Sequence, residues 1–367
     1  MSGAEVQFCG SPPLRVTANF SAASTHWQFC GGVTSPSTAA QRERKQRMIQ
    51  VEYRPDTYLG VLEMDAENRQ GLEALMSTVV TDIVAGIDTT YADRLIITDN
   101  FEEDVLAFQT AHNYTSTGIT NNIVARAQGK TLIDRETGRY TVILDSNFGV
   151  TLVDDELFEI ILQLAPGQEE ECRTQRATSR NLVAHEFTHV EFESTHVKPT
   201  FGTSYREQLK SVAWLLYDEY NACRNAASIE PISFIPDDEK YVIEIERLLM
   251  DVRRNYTLRR IDQNEFGAQF SEYARLALIY IVSSVGDAEG DKKKVPDYMN
   301  CRAANVAPNL VKALHAMRRT IETDNYDEAL VAIAEAVRLY HEQFQVFITN
   351  VAQGEYWDIP VVLDWID

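Results

Sequence analysis

Cysteine is scarce in this chain of 367 residues. There are five, Cys9, Cys30, Cys172, Cys223 and Cys301, an odd number with no CxxC pair among them. A disulfide framework is therefore not indicated, and reduced thiols in a cytoplasmic protein are the simpler reading. Positive charge is also short: 34 Lys and Arg stand against 55 Asp and Glu, a net charge of −21. That balance speaks against non-specific nucleic-acid binding and against an anionic membrane surface. It suits an enzyme free in solution and, more weakly, basic peptide substrates, although acidity also serves solubility alone. Long apolar runs are missing. The best, residues 276–285, is far shorter than the ~20 residues that cross a bilayer. The opening Met1-Ser2-Gly3-Ala4-Glu5 has no basic segment leading into an apolar one, so no signal peptide is expected. No internal repeat is visible.

What is present is an ordinary globular composition, 44% hydrophobic and 24% charged, in a chain long enough for one large domain or two lobes. Residues 1–45, rich in Ser, Thr, Gly, Ala and Pro, read as a poorly ordered tail. Across residues 68–87, Leu72, Leu75, Met76, Val79, Val80, Ile83 and Val84 recur at threes and fours, which predicts an amphipathic helix. Residues 94–99 form a β-branched run, and residues 130–134 and 140–145 flank a turn holding Gly138, which predicts a strand followed by a hairpin. A short helix is expected over 154–164, stopped by Pro166-Gly167. Beyond it the pattern is helical: 172–194, 204–227, 237–260, 265–285, 306–322 and 327–349, with a loop over 286–296 and an extended terminal segment near 359–365. The expectation is an α+β lobe over residues 46–198 and a mainly helical lobe over 199–367.

Within the first long helix stands His185-Glu186-Phe187-Thr188-His189. Four residues separate the histidines, so on a helix both imidazoles lie on one face, within reach of a single zinc ion. Glu186 sits one step round, beside the metal and not on it. From there it can take a proton from a zinc-bound water and return it to a leaving amine. Between Arg180 and His189 the one charged side chain is Glu186, while Val183, Phe187 and Val190 make an apolar stripe. A helix buried on one side, with ligands on the other, is what a central site requires; an exposed helix with two unrelated histidines is the bland alternative. A catalytic zinc needs a third protein ligand. On the next helix Val212, Leu215, Leu216, Ala222, Cys223 and Ala226 form an apolar stripe with Glu219 in its middle. A buried carboxylate is costly unless paired; a metal would resolve that cost, and so would a base such as Arg224. Asp218 points off the stripe and is the lesser candidate. Tyr217, Tyr220, Tyr280 and His315 are candidate donors to a developing oxyanion.

These residues, from Val183 through Val190 with Glu219 following, resemble the zincin metallopeptidases and within them the gluzincin group, whose third ligand is a glutamate. The resemblance covers residues 68–227. It implies a zincin-like lobe with a small sheet, Zn2+ held by His185, His189 and Glu219, Glu186 as the catalytic base, and a polypeptide substrate paired in extended form with an edge strand. By resemblance that strand would be residues 140–147. Phe192 and Thr195 stand where a metzincin has glycine and histidine; His196 comes one position late. Gly202-Thr203 lacks the nearby aspartate of an aspzincin. Cys223 occupies the place where many gluzincins carry an aspartate that orients a histidine. The alternative reading is a zincin-like regulatory module, or a toxin or effector with one protein target.

Overall fold

The computed structural model describes residues 48–60, 62–114, 127–231, 238–323, 325–351 and 354–360. The proposed tail over 1–45, with Cys9, Cys30 and His26, lies outside them, as do residues 361–365 of the proposed terminal segment. The chain is a mixed α+β protein that divides into two units. The first comprises Met1–Val197 and Asn225–Phe234, the second Lys198–Arg224 and Ile235–Asp367.

In the first unit β1 (Gln50–Tyr53) is followed by a two-stranded ribbon, β2 (Thr57–Tyr58) and β3 (Leu62–Glu63), and by helix α1 (Ala66–Ile83). Asp65 caps α1, its carboxylate accepting from the Asn68 N–H, which satisfies one of the helix's exposed donors. Then come β4 (Ala92–Thr98), α2 (Phe101–Ala111), β5 (Gly129–Asp134), β6 (Arg139–Asp145), the single turn α3 (Ser146–Gly149), α4 (Asp155–Leu164) and α5 (Glu169–Thr195). The strands form one sheet in the order β1-β4-β6-β5. β1, β4 and β6 run parallel, and β5 is antiparallel to β6.

Alternation along the strands sorts the core. Leu95, Ile97, Val142 and Leu144 join α1 and α5 in one cluster, with Met76, Val80, Leu182, Val183 and Phe187. Their sequence neighbours Ile96 and Ile143, with Leu132, face the other way onto Phe101 and Val105 of α2. A sheet covered on both faces explains why β4 and β6 read as continuous apolar runs and not as alternating ones. Helix α2 is absent from the sequence reading, although Phe101, Val105 and Phe108 repeat at helical spacing. The edge strand also differs from expectation. Of residues 140–147, those up to Asp145 lie in β6, an interior strand paired on both sides, and among the described residues the edge next to it is β5. The hairpin returns β5 outward, while the parallel crossover from β4 claims β6.

The second unit is built of helices α6 (Tyr205–Ile229, of which residues 225–229 count with the first unit), α7 (Asp238–Thr257), α8 (Gln263–Gly290), α9 (Ala307–Thr320) and α10 (Asp327–Gln343), with the hairpin β7 (Phe347–Val351) and β8 (Gly354–Asp358). Residues 276–285, the longest apolar run, are the fully buried middle of α8. Among the described residues no helix is long and apolar enough to cross a membrane. The predicted loop from Gly286 begins too early, because α8 continues to Gly290. Gly286 serves helix packing and not chain termination: a Cβ there would lie 2.6 Å from the Tyr220 carbonyl and 3.0 Å from the Arg224 nitrogen. The last helix is shorter than its pattern suggests. It ends at Gln343, Gln345 turns with φ +53, and the β-forming Phe347-Ile348-Thr349 becomes strand.

Candidate metal centre

Helix α5 is enclosed on every side from Asn181 to Val190, and not on one face only as its stripe suggests. Within this stretch the His185 and His189 rings stand one turn apart, nearly perpendicular at 82°. Their Nε2 atoms are 3.0 Å apart. Two nitrogens on a tetrahedral ion at about 2.0–2.1 Å are separated by about 3.3 Å, so the spacing suits a shared ion. Burial, and next the neighbouring His189, hold His185 well below the ordinary imidazole range. A neutral ring is the form that ligates a metal.

Glu219, completely buried on α6, offers the third donor. One ligand atom from each of His185, His189 and Glu219 lies within 4.8 Å of the others. Together they form a buried group able to hold a metal ion, and among the described residues it is the one such group of His, Cys, Asp or Glu. Two imidazoles and a carboxylate are a borderline-hard donor set that fits a divalent transition metal. Asp218 is buried but is not part of the group, and neither is His196. Arg224, the alternative partner for Glu219, has its Nε 3.9 Å from Glu289. Cys223 is not part of the group; burial, then the Asp287 and Glu219 carboxylates, push its thiol well above the ordinary range.

Glu186 is completely buried beside the pair, and β5 positions it. Thr131 Oγ1 lies 2.7 Å from the Glu186 carboxylate Oε2 and 2.9 Å from its backbone carbonyl, so the hydroxyl can donate to either. At Gly129 a Cβ would stand 2.7 Å from Glu186 Oε1 and 3.0 Å from Leu144 Cδ2. Glycine lets the strand pass this close without displacing the carboxylate. Thr131 and Gly129 lie two apart on the same face of β5, as the pleat requires. Neither was found from the sequence, where the strand was begun at Lys130. A glycine opening a strand run is the signal that marks such a close approach.

The candidate oxyanion donors have partners of their own. Tyr220 donates its hydroxyl to Glu289 Oε2 at 2.6 Å, and His315 Nε2 pairs with Glu289 Oε1, so one carboxylate of the second unit gathers both. Tyr280 stacks on Tyr241 at 5.6 Å, and Tyr217 packs 6.0 Å from the Tyr220 ring. His112 pairs with Asp134 at 3.1 Å. Cys172 and Cys223 are buried thiols outside any disulfide, and Cys301 is half-buried.

No family model, curated protein or solved structure matches the chain. The functional reading therefore rests on the geometry of the site and on the residues that carry the gluzincin resemblance.

Proposed function

We propose that the chain is a zinc-dependent peptidase of the gluzincin type, with His185, His189 and Glu219 holding the ion and Glu186 acting as the base. The observation that carries this reading is Glu186 itself. A purely structural site needs no acid between its histidines, yet here a fully buried carboxylate is accommodated by Gly129 and hydrogen-bonded by Thr131. Zinc in such a donor set supplies Lewis acidity, polarising a carbonyl and bringing the pKa of a coordinated water to about 7.

The protein's own groups do the rest. Glu186 removes a proton from the attacking water and delivers it to the departing amine nitrogen, so that one O–H and one C–N bond break as one C–O and one N–H bond form. Thr131 fixes Oε2 and thereby the direction of the carboxylate. Edge strand β5 offers its outward backbone groups to an extended polypeptide, and Glu186 lies against that strand. The acidic surface favours substrates of net positive charge.

The test is hydrolysis of a peptide library by the zinc-loaded protein, with Glu186→Gln as comparison. A general base contributes about 10²–10⁴-fold, so the variant is expected to keep its zinc and lose at least that much rate. Full activity of Glu186→Gln with zinc bound would sink the mechanism.

A further inference from the structure

Among the described residues strand β5 pairs with a neighbouring strand on one side only, and its alternation decides which residues face the other. In an antiparallel pair each residue turns both its N–H and its C=O either toward the partner or away. The Asp145 N–H donates to the Gln128 carbonyl at 2.9 Å, so Gln128, and with it residues 130, 132 and 134, face β6. Gly129, Thr131 and Ile133 face outward. The register agrees: Ile133 is opposite Tyr140, whose N–H is directed instead to the Tyr91 carbonyl at 2.9 Å.

At Ile133 the outward position is already taken. The Tyr114 hydroxyl accepts from the Ile133 N–H at 2.8 Å and donates to the Ile133 carbonyl at 3.0 Å. One side-chain oxygen thus does what the N–H and C=O of an added residue would do. Burial raises this hydroxyl to about 12, so it stays protonated and keeps both roles. The chain builds the contact deliberately. Helix α2 ends at Ala111, and Asn113 adopts the left-handed conformation, φ +54, which asparagine tolerates better than most residues. The turn closes with the Tyr114 N–H on the Gln109 carbonyl at 2.9 Å. Arg135 then lies over the Tyr114 ring, 4.7 Å from its centroid, and His112 holds Asp134 at 3.1 Å. The end of α2 is fastened to the far end of β5 at three successive residues, 133, 134 and 135.

We infer that Tyr114 is an end stop on the substrate strand: an extended polypeptide pairs with the outward groups of Gly129 and Thr131, beside Glu186, and is turned away from the sheet at Ile133. Tyr114 is then a specificity-determining residue. It limits how many residues on one side of the scissile bond are read through their backbone, whatever their side chains. This rests on the peptidase reading above. It predicts a protease whose preference is short and one-sided, recognising little of the substrate past the residue opposite Thr131.

The experiment uses the full-length zinc-loaded protein and a peptide it cleaves, extended one residue at a time from each end with blocked termini. In the wild type, kcat/KM is expected to stop rising on one side while still rising on the other. In Tyr114→Ala the short side is expected to gain about 3- to 10-fold from the next one or two residues, the size of one or two backbone hydrogen bonds. Equal plateaus in the two proteins overturn the inference. A second readout needs no change at Tyr114: residue-by-residue amide exchange of Glu186→Gln with bound peptide. Protection should grow at Gly129 and Thr131 and stay unchanged at Ile133; added protection at Ile133 overturns the end stop alone. Protection at Gly129 and Thr131 without cleavage by the wild type sinks the peptidase reading and leaves the end stop standing. No peptide-dependent protection anywhere on β5 overturns both.

Discussion

Two buried carboxylates, one in the helical region and one at the candidate site, meet the same desolvation problem in different surroundings. Glu246 of α7 is answered by protein donors: the Arg302 N–H at 2.8 Å, the Ala303 N–H at 2.9 Å and the Tyr340 hydroxyl at 3.2 Å. It caps the 3-10 turn Arg302–Asn305. Burial still outweighs these donors and holds its carboxyl above the ordinary range. Glu219, more deeply buried, stands within 4.8 Å of the donor atoms of two histidines. A buried acid is therefore no sign of a site by itself. What distinguishes the two is that the neighbours of Glu219 include two further metal donors, His185 and His189.

The largest expected effect tests that distinction directly. His185→Ala or His189→Ala should lower zinc affinity at least about 100-fold and abolish hydrolysis, since losing even a hydrogen-bond partner of a ligand costs about 10–100-fold in affinity. Glu246→Ala should leave zinc content unchanged and cost about 2–4 kcal/mol of stability, the toll of leaving buried donors unmatched. Metal analysis beside denaturant unfolding reads both. Zinc loss from Glu246→Ala would collapse the contrast.

The same contrast exists between histidines. His341 of α10 is buried in the helical region, its Nδ1 2.8 Å from the Tyr205 hydroxyl and its ring 5.3 Å from Phe270. Burial lowers it to about 4 from an ordinary 6.5. The folded state resists a proton that the unfolded chain accepts, so this contribution is present above pH 6.5 and is lost as pH falls toward 4. The shift corresponds to about 3 kcal/mol at full effect. Unfolding titrations from pH 7 to 4 should show that slope in the wild type and a flatter one in His341→Gln. An unchanged slope would mean His341 is already charged in the folded protein.

How much of this was legible beforehand follows from which interactions are local. Helix α5, its two histidines and Glu186 announce themselves because spacing along one helix is a property of consecutive residues. Glu219 was legible through the apolar stripe around it, which needs only its own helix. The β5–β6 hairpin was legible from its turn. Strand order was not: that β6 is interior and β5 the edge depends on pairing between residues 47 or 48 positions apart, and nothing in 140–147 records it. Gly129 and Thr131 escaped for the same reason, since their meaning lies in Glu186, more than fifty positions later. The last helix was overextended because Phe347 and Ile348 continue an apolar rhythm that strand and helix share.

Gly129 offers a smaller effect on the site side of the comparison. Gly129→Ala places a methyl group 2.7 Å from Glu186 Oε1, and either the carboxylate or the strand must give way. Zinc content should be unchanged, because the ligands are untouched, while kcat falls about 10²-fold, the scale of a displacement of about 1 Å at a reacting group. Loss of zinc with activity would mean that Gly129 supports the ligands instead of the base.

Thr131 should produce the smallest change and the most specific one. Its hydroxyl is the hydrogen-bond donor to Glu186 Oε2, 2.7 Å away, and Thr131→Val removes that donor while keeping the volume and the branching that suit a strand. The carboxylate then loses one directional contact out of its surroundings, worth about 1.5 kcal/mol and so roughly 10-fold in kcat, with KM little altered if the proposed pairing of substrate with the β5 backbone holds. A merely structural threonine would be replaced as well by valine as by serine. A positioning hydroxyl would not: Thr131→Ser restores the donor, forfeits the methyl group, and should recover most of the rate. If serine is as slow as valine, the hydroxyl is not what holds Glu186, and the close approach at Gly129 must orient the base alone.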